Sequence, residues 1–263
     1  GITATPQVSV EGTKLTILVI RDITEEHALR QRQQEFVSIA SHELRTPITA
    51  LIGYLSLIES EQAADPEQRK HFVSRAYSAA TRLSELVEDL LSVARIEEGR
   101  VALNLNPVHP GEVAAEVVSG LTQAAEAKGQ RLTFKNALKK ADVIEADRSK
   151  LHQVVANLVD NAIKYTPEKG RVTVTAQASK RSVTVTVADN GIGIHPENLA
   201  RIFDKFFREY TELSVAAGGT GLGLFITKEL VERQGGSLHV QSNQGKGTTA
   251  RVRFPRATRS KKR

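Results

Sequence analysis

The sequence contains no cysteine, methionine or tryptophan, and aromatic residues make up only 5% of it. Without cysteine, disulfides, thiolate catalysis and zinc sites built on sulfur are excluded, which fits a reducing compartment. No stretch approaches 18 consecutive apolar residues, so no membrane-spanning helix is predicted. These absences favour a cytoplasmic segment that makes no contact with a membrane.

The charge of the chain is moderately positive. Lysine and arginine outnumber the acidic residues by 36 to 30, which gives the 263 residues a net charge of +6. Seven of the basic residues lie at 251–263, where no acid occurs. We interpret 257–263 as a solvated basic tail and expect no nucleic-acid partner. The length leaves room for two compact domains with linkers.

Two long helical patterns are predicted in the first part of the chain. Apolar residues recur every three or four positions from Glu25 to Glu59, and a second pattern runs from Asp65-Pro66 to Gly99. Asp-Pro is typical of a helix start and glycine of a helix end. We therefore predict an antiparallel helical hairpin over 25–99. One hairpin buries little apolar surface, so we expect a homodimer in which two hairpins form a four-helix bundle.

Shorter helical and strand-like patterns alternate after Gly99. Helices are predicted at Gly111–Ala127, Arg148–Lys164 and Gly221–Gln234. No regular βαβ repeat occurs, so 100–256 is predicted as a second domain of the α+β class, an α/β sandwich with a mixed sheet and helices on one face. The predicted strands are Val101–Leu105, Arg131–Lys135, Asp142–Ala146, Arg171–Ala178, Ser182–Ala188, Ser237–Ser242 and Thr248–Phe254.

The N-terminal segment 1–24 has a pattern of its own. Val8–Ile20 predicts two short strands around a turn at Glu11-Gly12, with the second strand at Lys14–Ile20. The following Asp22-Ile23-Thr24 resembles the end of a PAS sensor domain, which would make 1–24 the remnant of an upstream sensor. A separate N-terminal hairpin is the alternative.

His42 lies in the run Ser41-His42-Glu43-Leu44-Arg45-Thr46-Pro47. Helical periodicity places His42 opposite the apolar stripe, and Thr46, four residues on, shares its exposed face. Glu43 can accept a proton from the imidazole or fix its tautomer. Pro47 removes a backbone donor inside the helix and should bend it. A surface histidine near a kink is the alternative interpretation.

Two blocks in the second half carry polar groups suited to a nucleotide. Asn157, Asn161 and Lys164 share one face of a predicted helix, and their amide oxygens and ammonium group suit hydrated Mg²⁺ and phosphates. Asp189 comes directly after a predicted strand, where its carboxylate can accept a hydrogen bond from an adenine amino group. The alternatives are a polar helix surface and an ordinary strand-to-loop turn.

Two further blocks are rich in phenylalanine and glycine. Phe203–Arg208 contains three of the eight phenylalanines of the chain, which is also typical of a hydrophobic anchor. Gly219–Leu224 is predicted to open a helix whose free amides form an anion site. This block is neither a P-loop nor a Rossmann fingerprint, and the Ser/Thr/Tyr kinase motifs are absent.

The five blocks, in this order, resemble those of sensor histidine kinases from two-component systems. The resemblance implies that His42 is the phospho-acceptor, that Glu43 is its acid/base partner and that Thr46 orients water in a phosphatase reaction. It also implies ATP-dependent autophosphorylation of His42, transfer to an aspartate of a response regulator, and phosphatase activity toward that regulator.

For the GHKL-type catalytic domain, the resemblance implies ATP and Mg²⁺ as cofactors. Asn161 would be the metal ligand, assisted by Asn157, while Lys164 contacts phosphate, Tyr165 lies beside the purine and Asp189 recognises adenine. The implied nucleotide-binding positions are Asn157, Asn161, Lys164, Tyr165, Asp189, Gly191, Gly193, Ile194, Arg208, Gly219, Thr220, Gly221, Leu222, Gly223, Leu224 and Thr248.

Three other functions remain open from the sequence. The first is a GHKL-type ATPase or chaperone without phospho-histidine, which explains the nucleotide blocks but gives His42 no role. The second is a dimeric scaffold that nucleotide only stabilises. The third is a protein that mainly dephosphorylates its partner.

Overall fold

The structure is a computed structural model that describes residues 2–8, 14–20, 22–60, 65–209 and 219–257. The chain divides into two compact units, Gly1–Ala76 and Tyr77–Arg263. The border between the units falls inside the second long helix, so the helical part predicted over 25–99 contributes to both. Of the predicted basic tail 257–263, only the first residue is among those described.

The first unit begins with a pair of strands. β1 (Ile2–Val8) and β2 (Lys14–Ile20) are antiparallel, with Ile2 opposite Ile20 and Val8 opposite Lys14. The bounds of β2 agree with the prediction. The first strand was predicted to begin at Val8, and it instead ends there. The predicted turn at Glu11-Gly12 lies outside the described residues.

The two long helices are present as predicted. α1 (Thr24–Glu59) is continuous and contains Pro47, and α2 is Pro66–Glu97. Gly99 follows α2 with a φ of +67°, the left-handed conformation that is common just after a helix.

Side-chain contacts stabilise the start of α1 and connect the described ends of the two helices. Asp22 Oδ1 accepts hydrogen bonds from the amide and the hydroxyl of Thr24, at 2.9 and 2.6 Å. The rings of Tyr54 in α1 and Phe72 in α2 stack with centroids 6.4 Å apart. Arg69 donates a hydrogen bond to a carbonyl oxygen near the end of α1. The contacts of Tyr54 and Arg69 join the last turns of α1 to the first turns of α2.

The second unit contains a five-stranded sheet in the order β4-β6-β7-β9-β8. β4 and β6 are parallel, and the other neighbouring strands are antiparallel. The strands are β4 (Arg131–Asn136), β6 (Arg171–Ala178), β7 (Ser182–Asp189), β8 (Ser237–Asn243) and β9 (Gly247–Pro255). β3 (Asn106–Val108) and β5 (Ile144–Ala146) form a separate antiparallel pair.

Three helices pack on one face of this sheet. They are α3 (Pro110–Ala127), α4 (Arg148–Tyr165) and α5 (Gly223–Arg233). The strands alternate buried valine with exposed or half-buried threonine, so that one face is apolar. The mixed sheet covered by helices on one face is the predicted α+β architecture. The fully buried core includes Val113, Leu151, Val155, Val159, Val172, Val174, Val252 and Phe254.

The predicted strand at Val101–Leu105 is wrong. The strand in this region is β3, which begins at Asn106. The amide of Asn104 donates to Asp147 Oδ2 at 3.0 Å, so this backbone is bonded to a side chain rather than to a neighbouring strand. Pro107 is tolerated in β3 because the two-stranded pair leaves an edge that needs no donor.

The predicted strand from Asp142 also begins too early, because β5 starts at Ile144. Asp142 is a turn residue whose Oδ2 accepts a hydrogen bond from the amide of Lys139 at 2.8 Å. Its Oδ1 forms an ion pair with Arg256, with 2.5 Å between the charged atoms. The side chain of Asp142 therefore joins this turn to the segment after β9.

Asp147 caps the helix that carries much of the candidate site. Its Oδ1 accepts hydrogen bonds from the amides of Ser149 and Lys150 at the start of α4, and its own amide donates to Gln234. Burial alone raises the pKa of Asp147. The hydrogen bonds from the Ser149 hydroxyl and from the amides of Asn104, Lys150 and Ser149 outweigh burial and lower that pKa below its ordinary value.

We expect Asp147→Ala to lower the free energy of unfolding by about 1–2 kcal/mol, because the cap is lost. The ionised carboxylate of Asp147 stabilises the folded protein, because its pKa is lower in the folded than in the unfolded state. This stabilisation is fully present above the unfolded-state pKa, near 3.8, and it is lost as the pH falls through the folded-state pKa. The difference in unfolding free energy between wild type and variant should therefore be constant near neutral pH and shrink below about pH 4. Urea unfolding of the full chain measures it.

Glu145→Ala is the matched control, because Glu145 is an exposed carboxylate two positions before Asp147. It should change the unfolding free energy little at any pH. A gap for Asp147→Ala that stays the same down to pH 3 would contradict the assignment of the charged cap.

Candidate functional site

A cavity of about 350 Å³ opens in the second unit beside α4, α5 and the loop after β7. Its size is within the usual range of small-molecule sites. All nucleotide-binding positions predicted from the sequence line this cavity, except Gly191 and Leu222. Asparagine, carboxylate, lysine and glycine positions from blocks far apart in sequence thus meet around one space.

Gly191 and Leu222 have structural roles instead. The amide of Gly191 donates to Asp189 Oδ1 at 2.8 Å, and a Cβ at this position would lie 2.4 Å from the carbonyl oxygen of Tyr165. Leu222 is fully buried in the core, and its amide donates to the hydroxyl of Thr220 at 3.2 Å. Both residues therefore support their blocks without facing the cavity.

Asp189 is held by two backbone amides. Its Oδ1 accepts hydrogen bonds from Gly191 and from Thr248, at 2.8 and 3.0 Å. Burial raises the pKa of Asp189, and these two hydrogen bonds act in the opposite direction. Within the described residues Oδ2 receives no such bond, so it is available to a ligand in the cavity. Thr248 contributes its backbone amide as well as its position on the wall.

Ser242 was not predicted from the sequence, and it organises the same corner. Its hydroxyl oxygen accepts a hydrogen bond from the amide of Ile194 at 2.9 Å and lies 3.0 Å from the carbonyl oxygen of Gly247. It also lies 2.8 Å from the hydroxyl of Thr248. Ser242 therefore ties the loop after β7 to the turn between β8 and β9.

Glycine is required at two points of the wall. Gly193 has a φ of +67°, and a Cβ there would lie 2.0 Å from the carbonyl oxygen of Asn243. Gly221 has a φ of +71°, and a Cβ there would lie 2.7 Å from the carbonyl carbon of Phe206. Phe206 itself has a φ of +62°, which is unusual for a bulky residue. The phenylalanine-rich block thus packs directly on the glycine segment that precedes α5.

The polar face of α4 contains the candidate metal ligands. Asn157 Nδ2 donates to the hydroxyl of Thr227 at 2.7 Å, and Asn157 Oδ1 lies 3.5 Å from Asn161 Nδ2. A Cβ at Gly223 would lie 2.5 Å from Asn157 Oδ1, so Asn157 is tightly packed. Lys164 forms an ion pair with Asp160 at 2.6 Å. Asn157 is therefore fixed by its neighbours. The amide oxygen of Asn161 is the principal candidate ligand, and Asn157 lies one turn away as the assisting one.

This donor set fits Mg²⁺ in one particular way. Mg²⁺ commonly keeps several waters and takes one or two protein oxygens together with phosphate oxygens. The described residues contain no cluster of three or more histidine and acidic side chains that could hold a metal alone. An ion here would therefore depend on Asn161, on water and on the phosphates of a bound nucleotide.

The first unit carries the candidate phospho-acceptor. His42 is exposed on α1, as predicted, and Thr46 is exposed one turn later. The hydroxyl of Thr46 donates to the carbonyl oxygen of His42 at 3.3 Å. Glu43 is half-buried and Pro47 is buried within the helix. The imidazole is thus accessible to a reacting group.

Two family models match the chain, and together they cover more than half of it. Residues 146–258 match the histidine kinase-, DNA gyrase B- and HSP90-like ATPases, and residues 32–99 match the His Kinase A phospho-acceptor domain. Sensor protein SrrB of Staphylococcus aureus is 34% identical over 245 residues, which are 93% of this chain and 42% of SrrB. The chain belongs to the sensor histidine kinases.

Solved structures of sensor histidine kinases are similar to this chain. Full-length ShkA in complex with AMPPNP is 30% identical with a TM-score of 0.62, covering 86% of this chain and 46% of ShkA. Histidine kinase ThkA in complex with the response regulator protein TrrA is 25% identical with a TM-score of 0.66, covering 97% of this chain and 75% of ThkA.

The sensor histidine kinase chain spans less than half the length of the curated relatives it matches. The resemblance of 1–24 to a PAS domain stays a prediction. Among the helices that the structure describes, none is long and apolar enough to cross a membrane.

We expect Asp189→Asn to weaken binding of ATP by about 100-fold. The Asn oxygen can still accept the two amide hydrogen bonds, but its NH₂ group would face the adenine amino group and leave two donors unpaired. Fluorescence titration with an ATP analogue on the full chain measures the effect.

Asp204→Asn is the control, because Asp204 is an exposed carboxylate outside the cavity wall. It should bind ATP like wild type. Equal affinities of wild type and Asp189→Asn would show that Asp189 only holds the loops.

Proposed function

We propose that this chain is the catalytic portion of a protein-histidine kinase, which phosphorylates His42 with ATP and passes the phosphoryl group to an aspartate of a response regulator. One observation carries the proposal. The same chain presents an exposed histidine within the complete family run at 41–47 and a cavity lined by residues from all four nucleotide blocks. A nucleotide-binding ATPase would need only the second feature.

The reaction at His42 is a direct phosphoryl transfer. A neutral imidazole nitrogen attacks the γ-phosphorus of ATP, the N–P bond forms as the bond to the β-phosphate oxygen breaks, and ADP leaves. The proton on the other ring nitrogen passes to Glu43 or to water. Glu43 follows His42 directly and is half-buried, so it is suited to fixing the tautomer of the imidazole.

The cavity supplies position and charge for the nucleotide. Asp189 Oδ2 is suited to accept a hydrogen bond from the adenine amino group, and Tyr165 lies on the same wall. Lys164, Arg208 and the amides that open α5 are suited to the phosphates. Mg²⁺, held by Asn161 and assisted by Asn157, would neutralise charge on the transferring phosphate. In such reactions positioning and charge neutralisation supply most of the catalysis.

The exposed apolar surface of the first unit supports a homodimer. The long helices carry large apolar residues that are 40–58% exposed to solvent, namely Val37, Ile48, Ile52, Leu55 and Val73. Contiguous exposure of large apolar residues is typical of an interaction surface. A second copy would bury them in the four-helix bundle. The solved complex of ThkA with TrrA supports a response regulator as the further partner.

His42→Gln should abolish autophosphorylation while leaving ATP affinity unchanged, because the acceptor nitrogen is removed and the cavity is not. The full chain is incubated with γ-labelled ATP and Mg²⁺, and label that is acid-labile and base-stable is counted. His71→Gln, an exposed histidine on α2, is the control and should retain the label.

Two outcomes would overturn the kinase assignment. Persistent label in His42→Gln would place the acceptor elsewhere. Hydrolysis of ATP by wild type without any protein label would favour a GHKL-type ATPase, and binding without hydrolysis or label would favour a scaffold.

Thr46→Ala should retain autophosphorylation but lose about 100-fold in phosphatase activity toward the phosphorylated regulator, a magnitude typical of a positioned catalytic group. Release of phosphate from the purified phospho-regulator measures it. Ser41→Ala is a matched control, because the hydroxyls of Ser41 and Thr46 both donate to the carbonyl oxygen four residues earlier. An unchanged phosphatase rate in Thr46→Ala would remove Thr46 from the reaction.

A further inference from the structure

The end of α2 contributes acidic side chains to the nucleotide cavity. Asp89 Oδ2 accepts a hydrogen bond from the hydroxyl of Thr220 at 2.6 Å. Glu85, one turn earlier on the same helix face, lines the same cavity. Neither residue belongs to the sequence blocks that define the site. Both carboxylates add negative charge to a cavity whose proposed ligand is a polyanion.

The single proton of the Thr220 hydroxyl is used by this contact. The hydroxyl accepts a hydrogen bond from the amide of Leu222 at 3.2 Å, and it donates its only proton to Asp89. Thr220 lies in the glycine segment that leads into α5, where the proposed phosphate-binding amides are located. A phosphate oxygen that approaches this hydroxyl must compete with the carboxylate of Asp89.

Two other contacts hold the end of α2 against the catalytic elements. Arg233 of α5 donates to the carbonyl oxygen of Ile96 at 2.6 Å. Lys205, in the phenylalanine-rich block, forms an ion pair with Glu97. A guanidinium on the last carbonyls of a helix is a favourable arrangement. Asp89 is thus part of a docked surface made by three polar contacts along little more than two turns of helix.

Several neighbouring groups affect the pKa and the charge of Asp89. Burial raises the pKa of Asp89, the Thr220 hydrogen bond lowers it, Glu85 raises it and Lys164 lowers it. Lys164 is also a proposed phosphate contact, so Asp89 and a nucleotide would share the same cation. In a partly buried site, a charge–charge interaction of this kind is much stronger than in water.

We propose that Asp89 is an electrostatic latch: while α2 is docked, its carboxylate occupies Thr220 and opposes the phosphates of the nucleotide. Full binding of the triphosphate end then requires this contact to open, which links the position of α2 to nucleotide affinity. The inference rests on the proposed function, because it takes the ligand of the cavity to be ATP. Adenosine carries no phosphate and no net charge, so the carboxylate of Asp89 should not oppose its binding.

The test compares ligands that share adenosine but differ in phosphate. Isothermal titration of the full chain is made with adenosine, ADP and a non-hydrolysable ATP analogue, with and without Mg²⁺. Asp89→Asn removes the charge but keeps an acceptor for Thr220, and Asp89→Ala removes both. We expect both variants to bind the ATP analogue about tenfold more tightly, a usual magnitude for coupling between two sites. Adenosine affinity should stay unchanged.

Glu88→Gln is the matched control, since Glu88 is exposed, precedes Asp89 directly and does not line the cavity. It removes the same charge and should leave all affinities unchanged. Thermal unfolding of each variant checks that the fold is retained.

Three outcomes would overturn the latch. Equal changes for adenosine and the ATP analogue would make Asp89 a structural residue. Weaker binding of the analogue only when Mg²⁺ is present would make Asp89 a metal ligand. Unchanged affinity in both variants would leave the contact without effect on binding. If wild type bound none of the three ligands, the proposed function itself would fall, and the latch with it.

Discussion

A single carboxylate oxygen joins the two loops that shape the cavity. Asp189 Oδ1 holds the amide of Gly191, in the loop after β7, and the amide of Thr248, at the start of β9. The glycines on both sides allow the backbones to approach, since a Cβ at Gly247 would lie 2.1 Å from the carbonyl oxygen of Asp189. With Oδ1 engaged, only Oδ2 is left to face the cavity. The same two hydrogen bonds therefore fix the loops and orient the proposed recognition group.

The regular part of the fold follows from local pattern. β6 and β7 alternate buried valine with polar residues, and α1 and α2 repeat apolar residues every three or four positions, so their type and approximate bounds were predictable. The segment at 101–105 was not, because its backbone is bonded to Asp147, far along the chain. Periodicity cannot indicate such a partner.

Some residues of the candidate site were likewise predictable from the sequence, and others were not. Contiguous blocks such as Gly219–Leu224 were recognisable because the glycines that a close approach requires are neighbours in sequence. Ser242 and Thr227 gave no such signal, since each is a common polar residue whose role depends on a partner from another element. Asp89 is the extreme case, because α2 was assigned to the hairpin alone. Its contact with Thr220 spans 131 positions.

The charge balance of the cavity links these features. Among the described residues that line it, carboxylates outnumber lysine and arginine by five to two: they are Glu85, Asp89, Asp160, Asp189 and Glu209 against Lys164 and Arg208. One of the two bases, Lys164, is already paired with Asp160. Side-chain cations alone therefore do not balance a triphosphate, and its binding must draw on the amides that open α5 and on a metal ion. Undocking of α2 would withdraw Glu85 and Asp89 together, because one helix carries both. Undocking of α2 and binding of Mg²⁺ would thus have the same effect, since each reduces the excess of negative charge around the phosphates.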